Sequence, residues 1–169
     1  MIMQIKDRDA AAARRQDTGP VYLSQEGLAR LEHQLARLKR EFPELSAEVA
    51  RTAAYGDRSD NAEYKDAKGR LRRAQYRILE IQDELKRIIV IPTGSSTTGT
   101  VQMGSTVIVE INGAKKTFEI LGPRETNPLD GRISFQSPLG AALIGHKAGD
   151  TVSVATANGM REYRIVEIK

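Results

Sequence analysis

Two stretches of this chain carry apolar residues at alternating steps of three and four. The first runs Leu28, Leu31, Leu35, Leu38, Phe42, Leu45, Val49 and Thr52; the second runs Tyr64, Ala67, Leu71, Ala74, Ile78, Ile81, Leu85 and Ile88. Such spacing keeps each set on one side of a helix, as a coiled-coil seam requires. The two seams also fit each other. If the chain reverses at Arg58, Leu28 faces Ile88, Leu31 faces Leu85, Leu35 faces Ile81, and Leu38 faces Ile78. Further along, Phe42 faces Ala74, Leu45 faces Leu71, Val49 faces Ala67, and Thr52 faces Tyr64. Phe42 on Ala74 and Val49 on Ala67 offset large with small, which keeps the interhelical distance even. The pattern predicts an antiparallel coiled-coil hairpin with Arg58 near its apex and arms roughly 40 Å long at 1.5 Å per residue. Pro43 falls inside the first helix but off the seam, so a bend without loss of register is expected. Ser24, with Gly27 three positions on, marks the helix start without forming a full capping box.

Around this hairpin the chain divides into zones. Residues 1–20 are polar and rich in Ala and Arg, ending in Thr18-Gly19-Pro20, and read as a flexible extension. Residues 21–91 hold the hairpin. Residues 92–100, from Pro92 through Ser95-Ser96-Thr97-Thr98-Gly99, have linker composition. From 101 to 169 the period changes to two. TVIVEI (106–111) and KKTFEIL (115–121) flank Asn112-Gly113, a hairpin-turn signal, and GRISFQ (131–136) reads as another strand. SPLGAALIGH (137–146) reads as a short helix with Ser137 as cap and Pro138 in its first turn. DTVSVAT and MREYRIVEI flank Ala157-Asn158-Gly159 as a second hairpin. The expected fold is α+β: a helical hairpin followed by a small antiparallel sheet with one short helix.

Composition excludes several function classes. The chain of 169 residues has no cysteine, so neither a disulfide framework nor a thiolate metal site is available. His33 and His146 fall on different elements, which argues against a self-sufficient zinc site. The net charge of +4 is compatible with nucleic acid or an acidic protein surface and diagnostic of neither. The opening MIMQIKDRDAAAARRQ lacks a signal-type apolar core, and no run is long enough to span a bilayer. No membrane association and a cytoplasmic location are expected.

The hairpin turn, GDRSDNAEY (56–64), crowds Asp57, Asp60 and Glu63 together. A purely structural role is open to them. Asp60-Asn61-Ala62-Glu63 has capping-box form, and carboxylates suit a helix N-terminus. A chemical role is open as well. Two carboxylates three residues apart repel each other, and a hard divalent cation relieves that repulsion. Mg²⁺ is commonly held by one or two carboxylates, with waters and phosphates completing the shell. Behind the tip, Lys65, Lys68 and Arg72 line one flank of the second seam and Arg70, Arg73 and Arg77 the other. Glu80, Asp83 and Glu84 offset Lys86 and Arg87 further back. A solvated helix surface and a set of phosphate contacts both fit this pattern.

With YGDRSDNAEYKDAKGRLRR at its tip, the chain resembles the bacterial Gre family of transcript-cleavage factors, of GreA and GreB type. The likeness extends over nearly all residues after about 20, through YLSQEGLARLEHQLARLKR, the proline in the first helix, the linker, GSTVIVEI and SPLGAALIGHKAGDTV. GDRS and the basic second helix lean towards GreB, LIGHKAGD towards GreA. The resemblance implies a partner, bacterial RNA polymerase, whose secondary channel admits the hairpin as a monomeric factor. It implies that Asp57 and Asp60 help hold a second Mg²⁺ shared with the polymerase, promoting cleavage of backtracked RNA at its nascent 3′ end. The factor is then not an enzyme alone but an activator of the polymerase's own RNA hydrolysis. Asp60 stands where the family usually carries Glu, a reach shorter by about 1.5 Å. That departure leaves a second reading open, a channel-binding regulator without cleavage activity. Ser59, with Arg58, is placed at the RNA or its attacking water, while Asn61, Glu63 and Tyr64 shape the tip. The last domain resembles the family's FKBP-like module, with Ser137, Pro138 and Leu139 as its polymerase contact. A rival prolyl isomerase needs an aromatic-lined pocket, and Phe118, Phe135 and Tyr163 are too few to line one.

Overall fold

The structure is a computed structural model that describes residues 19–54, 61–94, 99–157 and 159–169. Helix α1 spans Gln25–Ala53 and helix α2 spans Ala62–Leu85. Every residue of the first seam is half-buried, and Ala67, Ala74 and Ile81 of the second are buried. Polar bonds across the hairpin report its direction. Asn61 Nδ2 donates to Thr52 O at 2.9 Å, Arg70 Nη2 to Glu48 Oε1 at 2.7 Å, and Arg77 Nη2 to Gln34 Oε1 at 3.3 Å. Rising numbers on α2 meet falling numbers on α1, so the arms are antiparallel. Pro43 is exposed, and α1 continues through it without interruption.

One part of the predicted seam folds differently. Ile88 is not helical: α2 ends at Leu85, and Ile88–Ile91 forms strand β2, paired in parallel with strand β1, Val21–Ser24. All of Ile88-Ile89-Val90-Ile91 is β-branched, which disfavours helix and suits a strand. Val21, Leu23 and Ile91 bury their side chains there. This small sheet closes the root of the hairpin.

The remaining residues form a five-stranded sheet, with strands β3 (Thr106–Ile111), β4 (Ala114–Leu121), β5 (Arg132–Ser134), β6 (Thr151–Thr156) and β7 (Gly159–Ile168) in the order β5-β4-β3-β7-β6. The β3–β4 turn has positive φ at both Asn112 (51°) and Gly113 (77°), the twist that a two-residue hairpin needs. Alternation places Val107, Val109, Val152, Val154, Tyr163 and Ile165 in one core with Val101, Ile120 and Leu143. Leu143 comes from helix α3, Pro138–Leu143, which begins at Ser137 as predicted. The expectation of a purely antiparallel sheet holds for β3–β4, β3–β7 and β6–β7, but β5 pairs with β4 in parallel. Residues 122–131 between them are long enough to carry the chain back across the sheet end, through one-turn helices at Pro123–Glu125 and Pro128–Asp130.

The hairpin root and the sheet module meet closely. Tyr22 and Phe135 stack edge-to-face with ring centroids 5.4 Å apart. Gly122 lies so near β1 that a Cβ there would come within 2.1 Å of Tyr22 O. At the centre is the Glu125 carboxylate. Its Oε2 accepts from Ser24 N at 2.6 Å, and its Oε1 accepts from Ser24 Oγ at 2.7 Å and Arg30 Nη2 at 2.8 Å. Arg132 Nη2 lies 3.6 Å from the same oxygen. Beside it, Arg124 Nη1 reaches Glu84 Oε1 at 2.5 Å, an ion pair whose angle is poor for a hydrogen bond. The side chains of Glu84 and Glu125 are each only 3% exposed. Buried charges of this kind persist only when paired.

Pro43 has no N–H to donate to the backbone ladder of α1, and it lies on an exposed face. Pro43→Ala should therefore stabilise the hairpin, by up to about 3 kcal/mol. A higher urea midpoint at unchanged slope, followed by far-UV circular dichroism, is the expected result; an unchanged midpoint would show that the surrounding helix already accommodates the ring.

Candidate functional site

The tip of the hairpin is bracketed by two well-defined helix ends. Ala54 closes α1, its N–H donating to Arg51 O at 3.1 Å. Asn61 opens α2: its Oδ1 accepts from Tyr64 N at 3.0 Å while its Nδ2 reaches across to Thr52 O. One side chain thus caps the second helix and ties it to the last turn of the first. Thr52 Oγ1 in turn donates to Glu48 O at 2.9 Å and Val49 O at 3.2 Å. Asp57, Arg58, Ser59 and Asp60 lie outside the described residues. The capping box expected from Asp60 and Glu63 is corrected by one position, since the cap is Asn61. Asn caps as well as Asp, and the sequence offers both in succession. Glu63 is exposed in the first turn, where its charge suits the helix dipole.

The basic residues behind the tip divide into two kinds. Arg70 is held by Glu48 at 2.7 Å and Asp66 at 3.0 Å. The hydrogen bond that Arg70 donates to Glu48, then the charge of Glu48, raises the Arg70 guanidinium above its usual range. Arg77 is shared among Glu80 at 2.6 Å, Gln34 and, at 3.8 Å, Glu84. These two arginines are struts of the hairpin. Lys65, Lys68, Arg72 and Arg73 are exposed and, among the described residues, form no ion pair. Lys68 Nζ lies 5.6 Å from the centre of the Tyr64 ring, within cation–π range. Arg72 and Arg73, with Gly69, Tyr76 and Leu79, line a shallow groove along α2.

In the module, Ser137 caps α3 by accepting from Gly140 N at 3.1 Å and donates to Ser134 O at 2.7 Å. Leu139 packs against the sheet core, and Pro138 is the exposed member of the three. The root contacts of Ser24, Gly27, Glu84 and Glu125 were not legible in the sequence: Ser24 and Glu125 are 101 residues apart, and Glu84 reads as one of several surface charges. Among the described residues no three His, Cys, Asp or Glu side chains gather closely enough to hold a metal ion. No helix among them is long and apolar enough to cross a membrane.

This architecture coincides with known sequence families. A family model described as "Transcription elongation factor, N-terminal" matches residues 21–90, and one described as "Transcription elongation factor, GreA/GreB, C-term" matches residues 96–169. The chain belongs to the GreA/GreB family. It is 38% identical over 153 residues to "Transcription elongation factor GreA" of Chloroflexus aggregans, covering 89% of this chain and 98% of that one. A GreA of Thermomicrobium roseum is 39% identical over 150 residues, covering 87% and 96%. Among solved structures, GreA factor homolog 1 of Thermus thermophilus is 32% identical, covering 89% of this chain and 99% of that one at a TM-score of 0.40. Within the GreA/GreB family the hairpin corresponds to the N-terminal match and the sheet module to the C-terminal one.

The Asn61 clamp has a measurable consequence. Asn61→Ala should destabilise the hairpin by about 1 kcal/mol and speed amide exchange in the first turn of α2. Asn61→Asp should restore the cap, and with it the exchange protection of Tyr64 N–H, while losing the donor to Thr52 O. Equal exchange in all three proteins would show that the cap is not held by this side chain.

Proposed function

We propose that this GreA/GreB-family protein binds bacterial RNA polymerase, inserts its hairpin into the secondary channel and stimulates cleavage of backtracked nascent RNA. The reading rests on one observation: the hairpin is locked in register, so that its two helix ends at Ala54 and Asn61 lie together, remote from the sheet module. With about 1.5 Å of rise per residue, the helices set those ends roughly 40 Å from the root. A stiff arm of that length delivers side chains into a cavity that the module itself does not enter.

Asp57 and Asp60 are the residues that would hold a Mg²⁺ shared with the polymerase. Asn61 takes the capping role, so the helix start does not require either carboxylate. Two carboxylates match the usual protein share of a Mg²⁺ shell and fall short of a complete site, as expected of a donor set completed by a partner. When bound, the ion supplies Lewis-acid stabilisation of phosphoryl charge and a more acidic water. Ser59 and Arg58 lie between the two carboxylates in sequence and orient the RNA or the attacking water. Lys65, Lys68, Arg72 and Arg73 contact phosphates, which positions a strand without reading its bases. Arg70 and Arg77 lend positive potential while bracing the helices. Pro138 is the exposed docking residue of the module, with Ser137 and Leu139 fixing its turn. The protein acts as a monomer in the cytoplasm and carries out no catalysis alone. The shorter Asp60 favours a second reading, a regulator that occupies the same channel and slows synthesis without cutting RNA.

The test is a stalled, backtracked transcription complex given this protein and Mg²⁺. Short 3′ RNA fragments should appear faster than in its absence, and Asp57→Asn should nearly abolish them while leaving binding intact. Asp60→Glu should preserve or raise the rate, since a misplacement of about 1 Å is enough to slow such chemistry on the order of a hundredfold. No acceleration at saturating protein removes the cleavage reading, and slowed synthesis with intact RNA selects the regulator instead.

A further inference from the structure

The contact between hairpin root and sheet module combines apolar packing with buried charge. Its apolar part includes the Tyr22–Phe135 ring contact and the close approach of Gly122 to the β1 backbone. Its polar part issues from one turn, Pro123–Glu125, whose adjacent side chains grip different helices. Arg124 takes Glu84 of α2, while Glu125 takes Ser24 and Arg30 at the start of α1. Two grips on two helices block rotation about either one alone. Gly27 makes the second grip possible. A Cβ at that position would lie 2.2 Å from Glu125 Oε1 and 2.6 Å from its carboxyl carbon. Ser24 completes the arrangement, capping α1 by accepting from Gly27 N at 3.0 Å while donating to Glu125.

We propose that Glu125 is a positioning residue that pins the hairpin to the module at a single angle, with Gly27 as the gap that admits its carboxylate. All the groups facing that carboxylate are donors: Ser24 N–H, Ser24 O–H, and the guanidinium groups of Arg30 and Arg132. A neutral amide of the same size would turn its NH₂ towards donors and could not satisfy them. The pin sets where the tip points before any partner is met. Its consequence for activity rests on the polymerase reading above; its effect on domain geometry does not.

The chain has no cysteine, so a pair of spin labels is easily introduced. Ala36→Cys on α1 and Ala114→Cys on the module are both at exposed positions. Pulsed electron paramagnetic resonance should give one narrow distance in the labelled parent. Glu125→Gln and Gly27→Ala should each broaden it, with far-UV circular dichroism unchanged. Glu125→Asp draws the carboxylate back by about 1.5 Å and makes room for the added methyl, so in the Gly27→Ala background it should narrow the distribution again. If Glu125→Gln unfolds the module, Arg30→Gln, which removes a half-exposed partner of the same carboxylate, carries the same expectation. Parent-like narrow distances in the folded variants overturn the pin. In the RNA cleavage assay, a fall of the competent population to about one tenth should raise the half-saturating concentration about tenfold while sparing the maximal rate. A parent protein that stimulates no cleavage counts against the polymerase reading alone, because the distance comparison still decides the pin.

Discussion

Packing along the antiparallel seam is the interaction on which the rest of the molecule depends. Most helical stability in proteins comes from packing of an apolar face, and each arm here buries an apolar stripe against the other. The alanines at 67 and 74 let the arms approach, and Ile81, with no exposed surface, anchors them towards the root. Once that seam is set, only one register keeps the stripes matched. The polar bonds Asn61–Thr52, Arg70–Glu48 and Arg77–Gln34 follow from it and reinforce it. An exposed ion pair such as Arg70–Glu48 adds little energy by itself. The value of these bonds here is geometric, since each penalises a slip of one helix along the other.

The same seam sorts the charged residues by job. A cation near the edge of the hairpin with a polar partner on the opposite arm becomes a strut, as Arg70 does with Glu48 and Arg77 with Gln34. A cation turned outward, such as Lys65, Arg72 or Arg73, keeps its hydration and remains available to phosphate. Sequence spacing places all of them on the flanks of the second helix and cannot separate the two sets, because the acids that claim Arg70 lie partly on the other arm. The family match assigns the chain to a class of transcription elongation factors; the division of labour among its arginines comes from the geometry alone.

Much of the fold was legible because its determinants are local. Heptad spacing gave the hairpin, Asn112-Gly113 gave a turn, and Ser137-Pro138 gave a helix start. The misreadings have physical reasons too. Ile88 falls in phase with the heptads, but its β-branched neighbours favour a strand once Val21–Ser24 lies alongside. Asp60 and Asn61 are both good caps, so the sequence leaves the choice between them to the chain path. The buried contacts of Glu125 join residues far apart in sequence and left no periodic or motif signal. As for the candidate site, Asp57 and Asp60 stood out in the sequence as paired carboxylates, whereas the sorting of the basic residues behind them depends on Glu48 and Gln34 of the other arm.

The parallel pairing of β1 and β2 bears on how the molecule carries load. Val21 sits opposite Ile88 and Ser24 opposite Ile91, so the N-terminal end of β1 and the C-terminal end of β2 lie at opposite ends of the ribbon. A pull between the segment before Val21 and the module after Ile91 therefore shears the ribbon lengthwise. Its rungs share the strain together instead of peeling apart in turn, and the base of the arm resists traction better than its few residues would imply.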